Sequence, residues 1–229
     1  MKAVSFSLIL KKRNKILNFV IKCMSKESET MKEIVMATNN AGKVKEMQAL
    51  FDELSIKVLA LKDVFSEPID VEENGTTFEE NAIIKAETIS KMIGQVVIAD
   101  DSGIEIDAMG KKPGVESARF LGHDTSYDYK NQYILDLLKD EKNRAARYVC
   151  AMAIAIPNKP TVVFRETMEG EIAYEAKGEN GFGYDPIFFF PPTNKTGAEM
   201  SMEEKNLYSH RAKATAHVLN LVKEMINHG

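Results

Sequence analysis

The residue types able to do chemistry fall in a few short stretches. Asp100 and Asp101 stand side by side after the apolar residues 96–99 and are followed by Ser102-Gly103. Glu72 and Glu73 form a second acidic pair. The cations Lys43, Lys85, Lys205 and Arg211 lie elsewhere, the last beside His210. Acids placed where a buried strand surfaces are costly unless a cation or basic partner meets them, and that is where α/β proteins put metals and phosphates. Magnesium prefers oxygen ligands and keeps several waters, so two or three carboxylates suffice to hold it. A plain turn accounts for Asp-Asp-Ser-Gly as well, since these are ordinary turn residues. Ser102-Gly103 is expected to turn the chain into a second, alternating run at 104–108.

These stretches need a frame. Residues 34–37 read as a short strand, Thr38-Asn39-Asn40-Ala41-Gly42 as a loop, and 43–54 as a helix with Val44, Met47, Leu50, Phe51 and Leu54 on one apolar stripe. Such a unit aims loop amides and a helix N-terminus at one point, which suits phosphate, although no GxxxxGK[ST] loop is present. Residues 56–61 predict the next strand. Thr77-x-x-Glu80 reads as a capping box opening a helix that buries Phe78, Ala82, Ile83, Ala86, Ile89 and Ile93. That helix shows Asn81, Lys85 and Thr88 on another face and ends at Gly94. Thr125 is expected to cap a helix reaching Lys139. Residues 148–156 and 161–167 predict an antiparallel pair across Pro157-Asn158-Lys159-Pro160.

In 178–185, GENGFGYD, the glycines allow the backbone to approach a flat ligand, on which Phe182 or Tyr184 could stack. Residues 195–204 read as a polar connection in which Ser201-x-x-Glu204 caps a short turn presenting Lys205. Ser209-His210-Arg211 then starts a final helix with Val218, Leu221, Val222 and Met225 inside. Arg211 in a first helical turn opposes the dipole, so helix stability is not its reason for being there.

A chain of 229 residues, 44% hydrophobic and 28% charged, supports a full hydrophobic core, and after Met31 it reads as one folding unit. Its charge is uneven. Residues 1–30 carry seven Lys and Arg against two Glu, and the remainder carries 23 against 32. A body that acidic does not hold nucleic acid polymer through a general basic surface. Cys23 and Cys150 form no ligand spacing, and Cys150 sits in an apolar run as a buried thiol, which fits a reducing, cytoplasmic setting. The apolar run at 3–10 precedes its charges, unlike a secretory signal, and is too short to span a bilayer. Ile16, Leu17, Val20 and Ile21 at helical spacing would suit a basic amphipathic segment. The simpler expectation is a disordered extension or a start assigned too early, with Met31 as the natural beginning.

Taken together, ATNNAGKVKEM, EENGTTFEENAIIKA, IADDSGIEIDAMGKKPGVESARF, GENGFGYDPIFF and MSMEEKNLYSHR, in this order, resemble the inosine triphosphate pyrophosphatase family, the Ham1-like noncanonical purine NTP pyrophosphatases. The resemblance covers Met31 to the C-terminus. It implies hydrolysis of ITP, dITP and XTP to the monophosphate and pyrophosphate with Mg²⁺, which cleanses the nucleotide pool. The implied fold is α/β, a long mixed β-sheet with flanking helices and two lobes around a central cleft, and the implied assembly is a homodimer. By position, Thr38, Asn39, Asn40, Ala41, Gly42 and Lys43 would cradle phosphates. Glu72 or Glu73, with Asp101 and Asp100, would hold the metal. Asp101 matches the proton acceptor and Ser102 a substrate contact. Phe182, Gly183, Tyr184, Asp185, Lys205, His210 and Arg211 would complete the substrate site. A triphosphate carries close to four negative charges, and Lys43, Lys85, Lys205 and Arg211 supply four positive ones for local neutralisation. The alternatives are a Maf-like pyrophosphatase for modified nucleotides, against which FGYD and SHR argue, and a catalytically silent nucleotide-binding module, against which the four acids argue.

Overall fold

The computed structural model describes residues 31–227, and the expectation for residues 1–30 lies outside the described residues. Seven strands form one sheet in the order β2-β1-β3-β4-β5-β6-β7. They are β1 (Glu33–Met36), β2 (Lys57–Ala60), β3 (Val97–Ile106), β4 (Ala145–Ala155), β5 (Val162–Ile172), β6 (Phe188–Phe190) and β7 (Lys195–Thr196). β2, β1 and β3 run parallel, and every pairing from β3 to β7 is antiparallel. The helices are α1 (Ala41–Phe51), α2 (Leu61–Val64), α3 (Phe78–Ile93), α4 (Tyr127–Leu137), α5 (Met202–Asn206) and α6 (His210–Asn227). The mixed sheet and its flanking helices are those the resemblance implies.

The second half of β4 is apolar without alternation because both of its faces are covered. Val149, Ala151 and Ala153 share a cluster with Ala82, Ala86 and Ile89 of α3. Methyl-sized side chains on both partners let that helix lie close to the sheet. Cys150, Met152 and Ile154 instead join Val218, Leu221, Val222 and Met225 of α6. Each such buried side chain contributes about 1.5–3 kcal/mol. Arg211 at the wrong end of the α6 dipole costs only about 0.3–1 kcal/mol, so packing sets this helix. Burial pushes the Cys150 thiol up to about 12, which leaves it inert as a nucleophile. A third cluster, with Ile104, Ile106, Ile134, Met168 and Phe188, forms the second lobe around the far ends of β3–β5.

Four expectations need correction. Asp-Asp-Ser-Gly is not a turn: β3 continues through it, pairing Asp100 with Met152, Asp101 with Ala151, Ser102 with Cys150 and Gly103 with Val149. Gly103 is there for close packing, since a Cβ would lie 2.4 Å from Ser117 Oγ and 2.6 Å from the Gly114 carbonyl oxygen. The cap of α4 is Ser126, which accepts from the Tyr129 N–H, because Thr125 turns its hydroxyl back to the Leu121 carbonyl. Residues 195–204 are not merely a connection, for they hold β7, a 3₁₀ turn and the start of α5. Thr77 does cap α3 through the Glu80 N–H. Glu80 reaches back one residue further than a capping box requires, to the Thr76 N–H. The caps at Ser201 and Gly94 stand as the sequence predicts.

Candidate active site

β1 stops pairing with β3 at Met36–Ile98, and the chain leaves the sheet into the loop before α1. From Asp100 onward β3 therefore keeps β4 on one side and, among the described residues, has no strand on the other. An open strand edge of this kind, at the carboxyl ends of parallel strands, is where α/β sheets bind ligands. The loop is organised locally. Thr38 Oγ1 accepts from the Asn40 N–H, and Asn40 Oδ1 accepts from the Gly42 and Lys43 N–H groups, so Asn40 caps α1. Capping sends the Lys43 side chain toward β3.

Successive residues of a continuous strand point to opposite faces, so the two adjacent aspartates do different work. Asp100, 2% exposed, faces α1 and α6. Lys43 Nζ donates to both of its oxygens at 2.9 and 2.7 Å, and Ser102 Oγ donates to Oδ2 at 3.1 Å. Arg211 Nε stands 3.6 Å from Oδ2. Burial alone would raise this carboxyl, but the charges of Lys43, Arg211 and Lys85 outweigh it and hold the group well below the usual carboxylate range.

Asp101 faces α3. Its Oδ1 accepts from the Ser102 N–H at 3.0 Å and its Oδ2 from Asn81 Nδ2 at 3.1 Å. Burial pushes its carboxyl up to about 6, opposed by the Asn81 bond and Lys85, and the charges of Glu73 and Asp100 push the same way as burial. Lys85 donates to the Asp100 carbonyl oxygen at 3.0 Å and pairs with Glu73 at 2.9 Å. Glu73 is thereby brought to Asp101, whereas Glu72 is exposed.

A cavity of about 540 Å³ lies between the Asp100 face of β3, with α1, and the Gly-rich loop, α5 and the start of α6; Asp101, Lys85 and Glu73, on the other face, are not among the residues that line it. Lys43 and Ser102 line one side; Phe182, Asp185, Lys205 and His210 line the other. Asp185 is buried and fully engaged. Tyr148 Oη donates to it at 3.0 Å, Lys205 Nζ at 2.6 Å and the Phe182 N–H at 2.9 Å. It ties the loop to β4 and α5, and Gly181 must be small beside it, since a Cβ there would fall 2.1 Å from Oδ2. The two aromatic candidates separate. Phe182 is 63% exposed at the cleft rim, whereas Tyr184 is buried and gives its hydroxyl to the Ser117 carbonyl at 2.7 Å. His210 stacks on Tyr148, with ring centroids 5.0 Å apart and planes at 16°. Burial, with Arg211 and Lys205 nearby, pushes its imidazole well below the ordinary value, so it is neutral at neutral pH. Its buried Nδ1 has no hydrogen-bond partner among the described residues. An orphan nitrogen in a cleft wall is the kind of atom that a ligand satisfies.

Two residues of this site escaped the sequence reading. Asn81 looks like one more polar residue on a helix, and its only signal is its place one turn before Lys85. Tyr148 reads as a core aromatic, and nothing local marks its hydroxyl as a partner for Asp185.

The sequence pattern of the Ham1 family matches residues 34–221. This chain belongs to the Ham1 family. It is 51% identical over 189 residues to the dITP/XTP pyrophosphatase of Geobacillus kaustophilus, covering 80% of this chain and 91% of that protein. It is 47% identical to the protein of the same name from Bacillus licheniformis, over 80% and 94% of the two chains. Among solved structures, the Ham1 protein of Staphylococcus aureus superposes with a TM-score of 0.79 at 41% identity, over 84% and 98% of the two chains. The HAM1 protein of Coxiella burnetii gives 0.80 at 42%, over 85% and 100%. Like these relatives, the chain folds as an open mixed sheet with flanking helices. No helix among the described residues is long and apolar enough to cross a membrane.

Proposed function

We propose that this protein is a Mg²⁺-dependent nucleoside-triphosphate pyrophosphatase. It hydrolyses dITP, ITP and XTP to the monophosphate and pyrophosphate and so removes deaminated purines from the nucleotide pool. The observation that carries this reading is the set of matched ion pairs around the open edge of β3. Lys43 is held on Asp100, Lys85 on Glu73 and Lys205 on Asp185. Each cation is thus oriented before a ligand arrives, and a triphosphate replaces the carboxylates as its partner with little reorganisation.

The donor set fits magnesium. Glu73 lies close enough to Asp101 for its charge to disfavour that carboxylate, and magnesium is commonly held by one or two carboxylates plus substrate phosphates. Among the described residues no group of three or more His, Cys, Asp or Glu could hold a metal, so phosphate oxygens and water would complete the shell. When bound, the ion neutralises phosphate charge and polarises the phosphoryl oxygens. Asp100 is spent on Lys43 and Arg211. Asp101 takes a proton from the water that attacks the α-phosphorus. Its carboxyl is ionised at neutral pH, as accepting a proton requires. The bond from the α-phosphorus to the bridging oxygen breaks, and pyrophosphate leaves held by the lysines.

Phe182 stacks on the base from the rim. A donor, Arg211 or a backbone N–H, meets the carbonyl at the purine 6-position, and adenine's amine would leave that donor unpaired, which discriminates strongly. The enzyme works in the cytoplasm as a homodimer, which light scattering would report as twice the 25.6 kDa of one chain.

The test is magnesium-dependent turnover of ITP, XTP, GTP and ATP in parallel, with both products identified. Fast turnover of ITP and XTP with release of pyrophosphate is expected. Equal turnover of all four would sink the base selection, orthophosphate would sink the cleavage site, and binding without turnover would favour the silent module.

A further inference from the structure

The first turns of α3 carry two side chains that bridge the acidic loop to the catalytic strand. Lys85 reaches Glu73 and the Asp100 carbonyl. Asn81, one turn earlier and 1% exposed, does the same with a neutral amide. Its Oδ1 accepts from the Gly75 N–H at 2.8 Å and its Nδ2 donates to Asp101 Oδ2 at 3.1 Å. The direction of this amide is fixed chemically. A backbone N–H can only donate, so the oxygen faces Gly75 and the NH₂ must face Asp101. The contact is tight as well, since a Cβ on Gly75 would fall 2.6 Å from Asn81 Oδ1 and 2.7 Å from Glu80 Cβ.

We propose that Asn81 is the positioning residue for Asp101. Its amide fixes the rotation of that carboxylate and locks the Glu73 loop to it, so that the proton acceptor meets the water in one orientation. The inference rests on the proposed pyrophosphatase reading. A carboxylate on a single χ2 bond otherwise rotates over a broad, twofold profile. With the Ser102 N–H on one oxygen and Asn81 on the other, only the lone pairs not used by these donors remain to receive a proton. Asn81 touches no substrate on this account and acts through Asp101 alone.

The discriminating variants are Asn81→Ala and Asn81→Asp. The alanine removes both bonds. The aspartate has the same shape, keeps an acceptor for the Gly75 N–H, and sets a carboxylate oxygen against Asp101 where a donor stood. Misplacement of a reacting group costs about 100-fold in rate. We therefore expect Asn81→Asp to lose about 100-fold or more in kcat on ITP, at least as much as Asn81→Ala. ITP affinity measured calorimetrically in EDTA should stay within about threefold of wild type. If Asn81 only staples the loop, Asn81→Asp keeps that bond and turns over near the wild-type rate, which overturns the proposal.

A melting cycle supplies a readout free of any substrate. Asn81→Asp opposes two carboxylates, and Asp101→Asn must turn its NH₂ toward either Asn81 Nδ2 or the Ser102 N–H, both donors, while the double variant restores one donor and one acceptor. The double variant should melt above Asn81→Asp while remaining inactive. Failure to recover would overturn the Asn81–Asp101 contact itself. Inactivity of the wild type toward ITP with the cycle intact would instead overturn the pyrophosphatase reading.

Discussion

Replacing Lys43 by methionine should cost stability in a way that only a buried ion pair can produce. Methionine keeps roughly the length of the lysine stem and removes the ammonium that donates to both Asp100 oxygens. The Asp100 side chain is 1% exposed and the Lys43 side chain 23%, so the carboxylate cannot turn to bulk water. Removing one partner of a buried pair costs about 3–5 kcal/mol. Because Lys43 is partly solvated and Ser102 and Arg211 remain on Asp100, about 3 kcal/mol is expected here. For a chain of this size that is a fall in Tm of about 6–12 °C. The pH dependence carries the sign. Asp100 has a depressed carboxyl in the folded protein, so its contribution is present above the unfolded value of about 3.9 and is lost as pH falls through the folded one. The depression is smaller in Lys43→Met, so the variant's Asp100 takes up its proton first on acidification. The gap between wild type and variant should be full at pH 7, nearly full at pH 4, and clearly smaller at pH 2, below the unfolded value. Calorimetric melts at these three values measure this, and Lys43→Met combined with Asp100→Asn closes a cycle in which the double loss is less than the sum. A gap under about 2 °C at pH 7, or one that has already closed at pH 4, would refute Asp100 as the ionised anchor of Lys43.

Three further outcomes follow from the site and its frame. Asp101→Asn should lower kcat on ITP by about 100- to 10,000-fold, the range for losing a general base, with a cooperative melt retained; retention of most activity would end its assignment as proton acceptor. Phe182→Ala removes a stacking surface worth about 1–3 kcal/mol per base. The KM for ITP should rise by about 5- to 150-fold with Tm unchanged, because the ring is exposed at the rim; an unchanged KM would put the base elsewhere. Gly103→Ala drives a methyl against Ser117 Oγ and the Gly114 carbonyl. Overpacking costs about 1–3 kcal/mol, and a rigid carbonyl favours the upper end, so Tm should drop by about 6–12 °C; a neutral result would restore flexibility at Gly103 as its reason for being glycine.

Much of the frame is legible in the sequence because its signals are local. The α6 stripe at Val218, Leu221, Val222 and Met225 repeats at helical spacing and is buried as read. The caps at Thr77 and Ser201 are residues whose side chains accept from a backbone N–H in the next turn, as read; the one before α4 is misplaced by one residue, at Ser126, and Asn40, read only as loop, caps a helix that starts two residues earlier than expected. The family follows from ordered motifs, because phosphate chemistry demands particular side chains at particular places in the chain.

Tertiary structure alone decides how those side chains are divided. Asp-Asp-Ser-Gly has the composition of a turn, and only the unbroken pairing with β4 turns it into strand. That pairing sends Asp100 and Asp101 to opposite faces, one to bind a lysine and the other to meet α3. The choice of Glu73 over Glu72 depends on Lys85 reaching across from α3, and the roles of Asn81 and Tyr148 depend on partners 20 and 37 residues away. Residue types and their local spacing decide which groups are present and which elements carry them. Which carboxylate faces which cation was settled by strand register and helix packing, since contacts between distant segments leave no periodicity in the chain that makes them.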